Sequence, residues 1–282
     1  RDRRRPLGWP RMSQETARTA GPSLRPELLV PGLLGGLLVV YVVVPFVAFL
    51  ARTGTAGVVA GLSEPGARAA IRNSLLTAPA ATAVATTSGV PLGYVLARRS
   101  FPGKRLVESV VVLPLVLPPV VGGAMLLTAV GRFTPTGGAA AAVGLPLTDS
   151  LLGVVLAQTF VAAPFVVVTA RAGFAAVDER LERASRSLGY GPLATFRNVS
   201  LPLARGSILA GVVLTFARAI GEFGATMMVA YTPRTMPTRI WVAFLTDGID
   251  GIVPVAVALL VVALAVLTAV QRVGRAPTVI GR

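Results

Sequence analysis

DERLERASRSLGYGPLATFRNVSLP, residues Asp178–Pro202, is a polar stretch inside a chain that is otherwise apolar enough for a membrane. Asp178 is placed to cap a short helix beginning with Glu179, Arg180, Leu181 and Glu182, its acids lying where the helix dipole favours them. That helix should stop at Gly189, Tyr190 and Gly191 allow a tight turn, and Pro192 suits the first position of a second short helix to about Asn198. Pro202 is expected to close it. The expected product is a helix–turn–helix knob offering Leu181, Leu188, Leu193 and Phe196 to a groove on a partner. A solvated connecting loop with helical character is the plainer alternative.

Outward from this stretch, runs long enough to cross a bilayer, about 20 residues each, occur six times. They are Val30–Leu50, Ile71–Ala97, Leu106–Val130, Leu151–Ala170, Gly206–Tyr231 and Ile252–Val270. The expected fold class is an all-α membrane protein with six transmembrane helices, resident in the cell membrane. Six crossings put both termini on one side, and Lys and Arg mark the cytoplasmic side. Seven Arg residues lie in the first 29 positions, and further clusters lie at Arg98–Arg105, Arg171–Arg205 and Arg272–Arg282, against six basic residues in the opposite loops. Both termini and the Asp178–Pro202 segment are thus expected in the cytoplasm. Residues 1–29 read as a disordered tail and 271–282 as a short C-terminal tail.

Composition excludes whole classes of chemistry. The 282 residues include no Cys and no His, with a mean hydropathy of +0.73. The usual zinc, haem and iron–sulfur ligands and a Ser-His-Asp triad are missing, and no GxxxxGK[ST] run offers a phosphate cradle. No cofactor is expected and no covalent chemistry. Any ATP hydrolysis would belong to another chain. The net charge of +15 could suggest a nucleic-acid binder, but basic residues gathered on one predicted membrane side argue for topology instead, and no nucleic-acid partner is expected.

The polar stretch also carries a resemblance. Ala184, Gly189, Val199, Leu201 and Pro202 fall on the pattern E-A-A-x₃-G-x₉-I-x-L-P, so the segment resembles the coupling loop of permease subunits of binding-protein-dependent ABC importers. Arg183 stands where that family usually has Glu, with Glu182 one place early, and Ser185 replaces the second Ala. Residues 71–270 are similar to a type-I permease core, with Val30–Leu50 as an added first helix and residues 171–205 as the coupling loop. The run Phe216–Thr226, then Thr226–Tyr231 and Pro233–Pro237, is most similar to the molybdate/tungstate branch, with sulfate or thiosulfate permeases as the competing reading. The resemblance implies a second permease copy, two cytoplasmic ATPase subunits that grip the loop, and an extracytoplasmic oxyanion-binding protein. A secondary transporter needing no ATPase is the rival from another class, although Glu222 is the only acid well inside a predicted span. A membrane scaffold without transport is a further one.

Within the fifth predicted span, Arg218 and Glu222 would each cost about 2.5–3.5 kcal/mol to insert facing lipid. Their i, i+4 spacing allows them to pair, and Ala217, Gly221 and Ala225 form a small-xxx-small ridge. A buried pair locking two helices is the plainer reading, and a border of the translocation path is the sharper one. Pro114, Pro118 and Pro119 should kink the third span. Residues 231–251 read as a short interfacial helix that helps receive a binding protein, or anchors Trp241 at headgroup level.

Overall fold

A computed structural model describes residues 29–52 and 54–274. The expected tails, 1–29 apart from Leu29 and 271–282 beyond Gly274, lie outside the described residues. The described residues contain helices and no strands. The chain divides into two units at Arg52. The first contains α1 (Leu29–Arg52), a single apolar helix long enough to span.

The second unit opens with α2 (Thr55–Ser63), which the sequence reading did not anticipate, and α3 (Pro65–Arg98), which extends the expected second span at both ends. The expected third span is not one helix. It divides into α4 (Lys104–Val116) and α5 (Pro119–Val130), with Leu117 and Pro118 extended between them. A proline disfavours the helical region for the residue before it, and with Leu117 and Pro118 both extended the Pro118-Pro119 pair turns the anticipated kink into a break. Neither half, at roughly 18–20 Å, spans the roughly 30 Å hydrocarbon core alone. Five helices among the described residues are long and apolar enough to do so.

After the short α6 (Pro135–Ala142), α7 (Leu151–Ala176) is the fourth span. Ser150 caps it, its hydroxyl accepting from the Gly153 N–H at 3.0 Å. Then come α8 (Glu179–Ser187), α9 (Pro192–Thr195), a π-helical turn (Phe196–Ser200), α10 (Leu201–Ile220), α11 (Gly224–Val229) and α12 (Met236–Gly274). The expected fifth span stops early: α10 ends at Ile220, and α11 is a separate helix. Inside α12, Gly248 at φ 69°, ψ −154° divides a first helical segment, where an interfacial helix was expected, from the last span. Only glycine visits that backbone region readily.

The core is built where α3, α7 and α10 meet, around Ala85, Val166, Ala170, Phe174 and Ala204. Lipid gives helices little hydrophobic reason to associate, so close packing of small residues must hold them. At Gly93 an added Cβ would lie 3.0 Å from the Arg171 amide and 3.1 Å from the Val167 carbonyl. At Gly211 it would lie 3.2 Å from the Val166 Cα. Buried hydroxyls bond back to their own helix, as Thr77 does to Asn73 O at 2.9 Å and Thr82 to Ala78 O at 2.7 Å.

Candidate functional site

The two groups of residues singled out by the sequence lie at opposite ends of α10, Leu201 and Arg218 being about 25 Å apart along the axis. At one end, Asp178 caps α8 as expected, its carboxylate accepting from the Arg180 N–H at 2.8 Å. The stop at Gly189 is also as expected. Its φ of +89°, with Tyr190 N–H donating to Ser185 O at 3.2 Å and Gly189 N–H to Arg186 O at 3.0 Å, makes a Schellman motif. The second half of the knob differs from expectation. The helix begun at Pro192 does not close at Pro202 but continues to Ile220. Pro202 has no N–H and its ring would crowd the carbonyl four residues back. The π-turn relieves this by widening one turn, with Leu201 N–H reaching Phe196 O five residues away.

The expected coupling residues divide between two faces. Glu182 and Ser185 point inward, Glu182 only 3% exposed. Glu182 Oε1 receives Arg98 Nε at 2.9 Å and Ser200 Oγ at 2.8 Å. The Ser185 and Thr195 hydroxyls meet at 3.0 Å, tying α8 to α9. Arg183 and Ala184 point outward, and Arg183 pairs with Glu179 at 3.3 Å with both largely in solvent. An open groove of about 600 Å³ is lined by Leu181, Ala184, Leu188, Tyr190, Pro202 and Leu203 among others. Phe196 is not offered outward with Leu181, Leu188 and Leu193. It packs on Tyr94 and Phe174, with ring centroids 4.9 Å and 5.8 Å away. Arg98 and Ser200 were missed by the sequence reading, which counted Arg98 only as a topological charge.

At the other end Arg218 and Glu222 do pair, Arg218 Nη2 lying 2.5 Å from Glu222 Oε2. They are not both inside a span. Arg218 closes α10, while Glu222 sits in the break and accepts the Ala225 N–H at 2.7 Å through Oε1, so its carboxylate caps α11. The Arg218 side chain is 28% exposed and that of Glu222 1%. Ala217, Gly221 and Ala225 form no continuous ridge, because the helix ends between them and the first two are exposed. The close approach lies elsewhere: a Cβ on Gly123 of α5 would come within 2.8 Å of the Ala225 Cα. Trp241 packs on Phe223 with centroids 5.6 Å apart, joining the first segment of α12 to the same break. No cluster of potential metal ligands occurs among the described residues.

Apolar spans gathered on a small-residue core, with a capped polar helix between two of them, make this a multi-pass membrane protein. The chain belongs to the family described as binding-protein-dependent transport system inner membrane component, which matches residues 89–275. A probable molybdenum ABC transporter permease protein of Haloferax volcanii is 47% identical over 245 residues, spanning 87% of this chain and 90% of that one. The molybdate/tungstate transport system permease protein WtpB of Thermococcus kodakarensis is 43% identical, spanning 79% and 86%. Among solved structures, a bacterial alginate ABC transporter in complex with an alginate pentasaccharide-bound periplasmic protein matches at a TM-score of 0.70 and 16% identity, over 91% and 96% of the two chains. At that identity the likeness speaks for the type-I importer fold alone.

Proposed function

We propose that this chain is the permease of an ATP-driven importer that carries molybdate or tungstate inward across the cell membrane. The substrate class rests on relatives of 47% and 43% identity that bear molybdenum or molybdate/tungstate names. The single observation that carries the mechanism is α8, a polar helix with three Arg against two Glu and an exposed outer face, fixed to the bundle and contiguous through one turn with the helix Pro192–Ile220. A surface of this kind suits two ATPase subunits, one for each of two permease copies, and Glu182, Arg183, Ala184, Ser185, Gly189, Leu201 and Pro202 form its coupling segment. ATP-driven closure of the ATPases moves the two α8 helices together, the paired bundles open outward, and hydrolysis resets them.

Both termini and α8 face the cytoplasm in this reading, which follows the concentration of Arg and Lys and counts the broken α4–α5 unit as one crossing. The second copy is required because so few spans do not enclose a path. An extracytoplasmic oxyanion-binding protein delivers the anion. Arg218, partly open beside Gly221, eases the passage of an anion, while Glu222 keeps its charge from becoming a trap. The test is ATP hydrolysis and uptake by the chain reconstituted with its ATPase and binding protein, titrating molybdate, tungstate and sulfate separately. Stimulation by molybdate or tungstate where sulfate is silent supports the assignment. Stimulation by sulfate alone overturns the anion and keeps the architecture, and flux without any ATPase overturns the coupling.

A further inference from the structure

Arg98, the last residue of α3, joins four segments at one point. Its Nε bonds Glu182 Oε1 of α8 at 2.9 Å, and its Nη2 donates to the Val177 carbonyl at the end of α7 at 2.7 Å. Its Nη1 lies 3.9 Å from Glu179 Oε1. Ser200, from the π-turn that leads into α10, donates to the same Glu182 oxygen at 2.8 Å. The Arg98 and Glu182 side chains are 7% and 4% exposed, unlike the solvent-exposed Arg183–Glu179 pair on the outer face of the same helix. A buried ion pair adds little stability beyond what apolar residues of similar volume would supply, so stability alone is a weak account of it. What the planar guanidinium fork adds is direction, because its donors accept partners only at fixed angles.

We propose that Arg98, Glu182 and Ser200 form a positioning clamp that makes α8 move as one body with α3 and α10, so that force delivered to α8 reaches the spans. The clamp rests on the reading of α8 as the ATPase contact. Without it, α8 would pivot about the glycine-ended turn at Gly189 and the extended residue Val177, and nucleotide hydrolysis would be spent locally.

The test uses the complete transporter in proteoliposomes, with molybdate as probe, comparing Arg98→Ala, Arg98→Lys and Ser200→Ala. Anion uptake per ATP hydrolysed, retention of the ATPase and thermal stability are read together. Arg98→Ala is expected to keep the ATPase bound and hydrolysing while uptake per ATP falls about tenfold, with lysine recovering only part. Hydrogen exchange on the permease chain alone should show the α8 amides opening about a hundredfold more readily in Arg98→Ala, with the centre of α7 unchanged. Wild-type uptake per ATP in a variant with lowered thermal stability would make the contact merely structural and overturn the proposal. Should Arg98→Ala not fold, Ser200→Ala decides: it keeps the ion pair and should show a smaller loss in the same direction, and no loss overturns the clamp. A wild-type chain that retains no ATPase strikes the docking reading instead, and the exchange measurement still decides whether α8 is clamped.

Discussion

Replacing Arg218 by alanine should destabilise the chain by more than any surface substitution, and a second substitution at Glu222 should restore much of the loss. Glu222 is 1% exposed on its side chain, with one oxygen committed to the Ala225 N–H and the other to Arg218. Arg218→Ala removes the guanidinium and leaves a buried carboxylate with one uncharged partner, a situation that costs about 3–5 kcal/mol. For a chain of this size that corresponds to a fall of about 6–20 °C in Tm. In Arg218→Ala/Glu222→Gln the buried charge is gone, the side-chain volume at 222 is kept, and a carbonyl oxygen still accepts from Ala225. The double variant should therefore recover about 2 kcal/mol or more, a coupling of the size seen between contacting residues. Arg218→Lys should fall between wild type and alanine, because it restores charge without the fork. The assay is unfolding of the purified chain in one detergent, with binding-protein-stimulated uptake measured beside it. Additivity of the two substitutions within about 0.5 kcal/mol would refute the pairing argument.

Three further outcomes follow from particular contacts. Gly93→Ala should cost about 1–3 kcal/mol, because the new methyl meets backbone atoms of α7 that cannot turn aside, whereas Gly206→Ala, with open space around it, should be neutral or stabilising by up to about 1 kcal/mol in the same unfolding assay. Ser74→Ala removes the hydroxyl that accepts the buried Met236 N–H at 2.8 Å and should cost about 1–3 kcal/mol, with a matching rise in exchange of that amide. Gly189→Ala forces a Cβ into φ +89° and should cost about 1–2 kcal/mol of α8 stability, read as faster amide exchange at Tyr190.

What the sequence made legible was local. The Asp178 cap and the Gly189 stop depend on neighbours within six positions, and both formed where expected. Hydropathy placed the spans but not their ends, because α10 stops at Ile220 inside a run that, Glu222 apart, remains largely apolar through Ala230. Prolines were read by type without their partners. Pro118 and Pro119 stand at a break between two helices, whereas Pro202, preceded by a wide turn, sits in a helix without ending it. The pairing of Arg98 with Glu182 spans 84 positions, and no periodicity in one element reports a contact made by another. The Arg218–Glu222 spacing did predict a pair, but its use as a cap for α11 required knowing that the helix had already ended.

The π-turn at Phe196–Ser200 has a mechanical meaning beyond accommodating Pro202. It keeps Pro192–Ile220 a single rod of 29 residues, about 43 Å long, against a hydrocarbon core of about 30 Å. A helix longer than the slab has turns to spare beyond it, and the face next to α8 lies at its Pro192 end. A modest change in its tilt sweeps the Pro192 tip one way and the Arg218 end the other. A helix ended at Pro202 would have left the same residues on a loose joint.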